Sequence, residues 1–211
     1  DSGYHTMFAG KQHFSPWVPQ RVRAENSFDR WFESPFSAFM IRKDGGYPQY
    51  NRGDQRAIFD VNGKMMDVTE LQTSKPFHKT DATTDYALRF LDEAKGKGKP
   101  YFMYLAYHAA HFPLHATEED IAKYRDVYRQ GWDKIRAARF AKQQKMGIIL
   151  PETKLSAPSN NINKTRQPKR TDHHEKRLKS MYHCPWDSLT TKEQDDLSLE
   201  MAVFAAMVDR M

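Results

Sequence analysis

No stretch of this chain approaches the ~20 consecutive apolar residues that a membrane-spanning helix needs, so no membrane segment is expected. There is one cysteine, Cys184, which excludes an internal disulfide and says little about compartment. No internal repeat is apparent. An initiating Met and a secretory leader are also missing. The chain opens on Asp-Ser-Gly-Tyr, which reads as a processed product or a fragment rather than a complete translation product. What is present is 39% hydrophobic and 13% aromatic residue content over 211 positions. That composition folds, and the length allows a substantial core.

Charge is uneven. The net +6 is concentrated between Lys164 and Lys179, "KTRQPKRTDHHEKRLK", where seven Lys/Arg face two Asp/Glu. The rest of the chain carries only +1. A phosphate-tracking surface would interleave aromatic residues for stacking, and none lies in this run. It therefore reads as a solvated polar loop or insertion over residues 159–179, and no nucleic-acid partner is expected.

Four regions follow one another. From Tyr4 to about Tyr50, a short strand ("HTMFAG") leads into an aromatic stretch punctuated by Pro and Gly. "AIFDVNGKMMDV" then carries Asn62-Gly63, a strong turn dipeptide that predicts a hairpin at a sheet rim. In "TDATTDYALRFLDEAKGKGKP", Ala87, Phe90, Leu91 and Ala94 recur at helical spacing. Asp81 or Thr83 is expected to cap that helix and Gly96 or Gly98 to end it. Tyr101 to Tyr107 is a continuous run of β-formers, as expected of a strand covered on both faces. A helix followed by such a strand predicts an α/β sheet.

The fourth region, "TEEDIAKYRDVYRQGWDKIRAARFAKQQKMG", begins acidic and becomes basic, matching a helix dipole, with an interruption expected at Gly131. After a polar segment from Pro151 to about Tyr182, a last helix is expected from Thr190 or Thr191. Its stripe of Val203, Phe204, Met207, Val208 and Met211 reads as core packing.

Two places are dense in chemistry. "AGKQHF" sets Lys11 and His13 two residues apart, on one face if the segment is extended. A fixed cation beside a titratable imidazole suits an anion. "YHAAHFPLH" places His108, His111 and His115 just after the predicted buried strand, where open α/β sheets bind ligands. Histidine spacing of three and then four can suggest a metal. However, no acidic ligand pattern accompanies it, and "HHEKR" lacks the second His of a zinc-hydrolase helix. No metal ligand is assigned.

Taken together, these segments resemble the sulfatase family. "GYHTMFAGKQHF" is similar to that family's Gly-Tyr-x-Thr-x-x-x-Gly-Lys-Trp-His, and "SFDRWFE" to its Gly-Phe-Asp-x-Phe-Phe. "KPYFMYLAYHAAHFPLHATEEDIAKYRDVYRQGWD" resembles Pro-Phe-Phe-Leu-Tyr-Leu-Ala-Tyr-x-Ala-Pro-His-x-Pro-Leu-His and its following helix. "WDSLTTKEQDDLSLEMAVFAAMVDRM" is similar to the helix ahead of the family's second metal-ligand motif. The order and spacing run along most of the chain, apart from about Ser159 to Lys179.

The resemblance implies hydrolysis of aryl or carbohydrate sulfate esters on part of an alkaline-phosphatase-like α/β/α sandwich, with an incomplete sheet. Secretion or a periplasmic location is also implied. By position, Lys11 corresponds to the sulfate-binding lysine, and His111 to the histidine that contacts sulfate and the leaving oxygen. His13 corresponds to the histidine that assists collapse of the sulfated formylglycine. His115 is expected at the substrate rim, and no role beyond the rim is assigned to His108. Such roles suit a sulfuryl-transfer transition state, whose charged oxygens are stabilised by fixed cations and by groups able to move protons near neutral pH.

The family's formylglycine, made within Cys/Ser-x-Pro-x-Arg, and its calcium ligands have no match here. Cys184 lies in "HCPWD", which is not that motif. The segment therefore reads as a partial catalytic domain over 1–211, missing other parts of that domain and inactive alone. Gln12 stands where the family has Trp, and Ala110 where it has Pro. A phosphodiesterase or phosphonate monoester hydrolase of the same superfamily needs the same anion clamps. A basic binding module working through 164–179 is the reading of a different class.

Overall fold

A computed structural model describes residues 2–12, 27–34, 58–73, 77–111, 114–157 and 184–211. "HTMFAG" forms β1 (His5–Gly10), in which Met7, Phe8 and Ala9 are fully buried. Alternating side chains send Met7 and Ala9 into the main core. Phe8 meets Phe28 and Tyr104, each at 5.5 Å between ring centroids. "RWFE" forms β2 (Arg30–Glu33), parallel to β1. The start of β2 is tied to β1 through Asp29, which accepts the Thr6 backbone N–H at 2.8 Å.

The predicted hairpin is present as β3 (Ile58–Val61) and β4 (Lys64–Asp67), antiparallel across Asn62-Gly63. Then come α1 (Lys79–Lys95) and β5 (Tyr101–Ala106), which returns parallel to β1. Among the described residues the sheet has five strands in the order β4-β3-β2-β1-β5, with α1 packed on β1, β2 and β5. The α/β class is therefore as expected. Its core is aromatic: Phe32 stacks on Tyr86 at 4.4 Å and on Phe59 at 5.3 Å, with Phe77 edge-on to Phe59 at 5.7 Å.

Three expectations need correction. The cap of α1 is His78, whose Nδ1 accepts the Thr80 N–H at 3.2 Å, and neither Asp81 nor Thr83. A neutral imidazole nitrogen does the work usually done by a carboxylate or hydroxyl oxygen. β5 is not covered on both faces. Among the described residues it is an edge strand paired with β1 alone, and Tyr101, Phe102, Tyr104 and Leu105 are 41–54% exposed.

The stripe expected on the last helix, here α4 (Thr191–Asp209), is mostly exposed at Phe204, Val208 and Met211. The buried flank is Leu197, Ser198, Ala202, Ala206 and Met207.

Two compact units are present, Asp1–Asp120 with Phe204–Met211 and Ile121–Val203. In the second, the acidic-to-basic region is broken as expected at Gly131, which lies between a short turn (Val127–Gln130) and α3 (Trp132–Lys145). Gly131 has φ +86°, and a Cβ there would fall 2.2 Å from Trp186. Trp132 and Trp186 meet edge-to-face at 4.8 Å, and the Trp132 indole donates to the Cys184 carbonyl at 3.1 Å. Acidic residues open α2 (Glu118–Ala122) in the same region.

The first unit contains a second constraint of this kind at Gly10. Its φ is +130°, and a Cβ would stand 1.8 Å from the Ala106 carbonyl oxygen. That oxygen belongs to backbone and cannot rotate aside. Gly10→Ala in the full-length protein is expected to cost at least ~3 kcal/mol, at the severe end for point substitutions. Gly98→Ala, with open space around the built Cβ, should cost ~1–2 kcal/mol from its positive φ alone. Melting curves of the two variants check this, and equal losses would rule out the close approach as the cause.

Candidate active site

β1 and β5 run parallel in register from His5↔Tyr101 to Gly10↔Ala106. The ladder continues one residue further, where the Lys11 N–H donates to the Ala106 carbonyl at 2.8 Å. Lys11 thus leaves the carboxyl end of β1 beside the loop that follows β5. Within that loop the His111 N–H donates to the His108 carbonyl at 2.9 Å, and the two imidazoles meet edge-on at 5.2 Å. Lys11 is half-buried, His111 exposed and His108 buried. Ala109 and Ala110 join through a cis peptide.

Behind this rim lies a residue that sequence reasoning passed over. Lys79, the first residue of α1, is 1% exposed, and its Nζ lies 3.2 Å from His108 Nδ1. Burial, aided by the positive charge of Lys11, pushes its ammonium down to about 7. His108 is pushed to about 3 by burial, then by the charges of Lys79, Lys11 and His111. One buried imidazole therefore lies within electrostatic reach of all three. Burial also lowers Lys11 from its ordinary value. The signal in the sequence was spacing: counting back from Ala94 through Ala87 and Thr83 by helical steps puts position 79 on the buried face.

The other assigned residues fall differently. His13 lies outside the described residues, as does the basic run 164–179. His115 is half-buried and sits against α4, its N–H donating to Met207 Sδ at 3.3 Å. It stands within electrostatic reach of His78. There Arg210 donates to Asp81 at 2.9 Å through both Nε and Nη2, and binds Asp120 as well. Burial first, then the charge of Arg210, pushes His78 down to about 4. Gln12 is half-buried beside Lys11.

Chemically, the rim offers a cation, an accessible imidazole and a neutral imidazole backed by a second lysine. Such a set has the chemistry to bind and orient an anion and to move a proton at an imidazole. The calcium ion and formylglycine implied by the resemblance are a separate matter. Among the described residues, no group of three or more His, Cys, Asp or Glu could hold a metal. Cys184 does not stand in the formylglycine motif. The described residues do not fit either group.

A protein-family model described as Sulfatase matches residues 1–191. Among curated proteins, an uncharacterized sulfatase of Schizosaccharomyces pombe is 27% identical over 219 residues, spanning 99% of this chain and 34% of that protein. An arylsulfatase of Klebsiella aerogenes is 27% identical over 213 residues, spanning 100% of this chain and 39% of that protein. The chain thus spans between a third and two fifths of the length of these relatives. A solved structure of Ps i-CgsB in complex with k-i-k-neocarrahexaose is 29% identical with a TM-score of 0.47, covering 60% of this chain and 28% of that one.

The depressed histidines predict an acid limb in stability. Both start from 6.5 when unfolded and are harder to protonate when folded. Their contribution is complete above pH 6.5 and is lost as pH falls toward about 4 for His78 and about 3 for His108. Each adds up to about 1.4 kcal/mol of loss per pH unit in that window. Thermal melts of the full-length protein from pH 7 to 3 should flatten in His108→Gln and in His78→Asn, which keeps a capping oxygen. An acid limb identical in wild type and both variants would assign it to other groups.

Proposed function

The chain belongs to the sulfatase family, and from that premise we propose that the whole protein hydrolyses an aryl or carbohydrate sulfate ester. Lys11 and His111 bind the sulfate, His13 moves a proton in the same reaction, and His115 supports the substrate rim. The protein works outside the cytoplasm, in the periplasm or after secretion. Among the described residues, no helix is long and apolar enough to cross a membrane.

The observation that carries this reading is the last rung of the β1–β5 ladder. Lys11 is bonded through its own backbone to the strand that leads to His111. A sulfuryl group passing through its transition state spreads negative charge over its equatorial and leaving oxygens. A lysine ammonium fixed at the rim stabilises that charge without reorganising. An exposed imidazole can give a proton to the departing oxygen, so that a poor alkoxide or phenoxide leaves as the neutral alcohol.

Steady-state kinetics of the full-length protein on an aryl sulfate and an aryl phosphate diester, side by side, test the reaction class. Sulfate ester turnover should dominate. Faster phosphodiester turnover would move the protein to the phosphodiesterase or phosphonate hydrolase branch. Within the same assay, Lys11→Ala and His111→Ala should each lower kcat/KM by at least ~10²-fold, the scale of losing a transition-state donor. Normal rates in folded variants would overturn both assignments.

A further inference from the structure

Lys79 has no place in the roles above, yet it is the most deeply buried cation among the described residues. It stands in the first turn of α1, where the positive end of the helix dipole already disfavours a cation. On the rim side it faces His108 at 3.2 Å and the ammonium of Lys11. Beyond His108 lies His111, held by backbone and ring contacts. On the other side, its neighbour His78 faces Asp81, Asp120, His115 and Arg210.

A neutral imidazole has one donor and one acceptor nitrogen, and an ammonium can only donate. While Lys79 is charged, Nδ1 of His108 must accept and its proton must sit on Nε2. If Lys79 is neutral, its lone pair permits the other tautomer.

We propose that Lys79 is a positioning residue of the anion site: a buried ammonium that fixes the His108 imbalance of donor and acceptor, and adds positive potential behind Lys11 and His111. This rests on the sulfate-binding reading of that rim. The consequence is a linkage. An anion seated at the rim stabilises the charged form of Lys79, so binding draws in a proton when the free lysine is partly neutral. With the free ammonium at about 7, affinity should be highest below that pH and fall as pH rises through it. Free sulfate is a suitable probe because it stays a dianion throughout this range.

The experiment is binding of inorganic sulfate to the full-length protein between pH 6 and 9, by calorimetry in two buffers of different ionisation enthalpy. Wild type should take up a fraction of a proton on binding near pH 7.5 and lose ~10-fold or more in affinity by pH 9. Lys79→Met should bind ~10-fold more weakly at pH 6, match wild type at pH 9, and show reduced proton uptake. His108→Gln, which keeps an acceptor for the ammonium, supplies a second variant and should retain the pH dependence. A folded Lys79→Met with wild-type affinity and proton uptake overturns the inference and leaves the sulfatase reading standing. Should Lys79→Met not fold, wild-type binding without proton uptake overturns it equally. Absence of sulfate binding in wild type at every pH removes both.

Discussion

The site depends on one backbone approach, Gly10 against the Ala106 carbonyl. Parallel strands bond at a slant, and a side chain at residue 10 would force β1 and β5 apart just where they end. With only hydrogen there, the ladder closes as far as the Lys11 N–H, and the Ser34 N–H takes the Gly10 carbonyl at 2.7 Å on the β2 side. Three parallel strands are thus pinned at their carboxyl ends. Whatever follows β1 and β5 must emerge side by side. Lys11 and the histidine loop are neighbours because the strands before them are, and no long-range contact between side chains is needed to bring them together.

How much of this could be read from the sequence follows from what periodicity encodes. β1, the Asn62-Gly63 hairpin and α1 were legible because each carries a local signal that tertiary context did not override. Ala87, Phe90 and Ala94 are buried, and Leu91 packs against them. β5 was legible as a strand but not as an edge. A run of β-formers such as "YFMYLAY" states that the backbone extends and says nothing of what lies on either side. In α4 the period again announced a helix while misidentifying its covered flank. Large side chains at 204 and 208 attract the eye, whereas close packing favours the small residues at 198, 202 and 206. The resemblance singled out Lys11 and His111 by motif spacing alone, and spacing carries no information on burial, so Lys79 behind them left no such mark.

Residues 78 and 79 show how a helix start separates two electrostatic systems. On one side of α1, two carboxylates, Asp81 and Asp120, share the guanidinium of Arg210, and their hydrogen bonds raise Arg210 above its already high value. Asp120 is buried, so losing Arg210 would strand a carboxylate in the interior. That system fastens the end of α4 to the start of α1, and its two carboxylates against one guanidinium leave it net negative. On the other side stand Lys79, Lys11 and two imidazoles. His78 caps the helix with a neutral nitrogen because both burial and Arg210 keep it unprotonated. Neutrality there prevents a third positive charge from accumulating at the helix start.

The cation-rich side is hard to explain as packing alone. Burial first, then the charge of Lys11, lower the Lys79 ammonium from 10.5 to about 7, and the positive end of the helix dipole is a further reason for a cation to avoid that turn. An apolar chain of similar length would fill the same space at α1 without that cost, as replacing buried ions by hydrophobic residues generally shows. The Thr83 hydroxyl bond to the Lys79 carbonyl, at 2.9 Å, would survive such a replacement, since it uses only backbone of residue 79. What would not survive is the bond to His108 and the field behind Lys11. Energetically unfavourable charges concentrate where a site uses them. Here the unfavourable charge stands one imidazole behind the rim that the strand ends define.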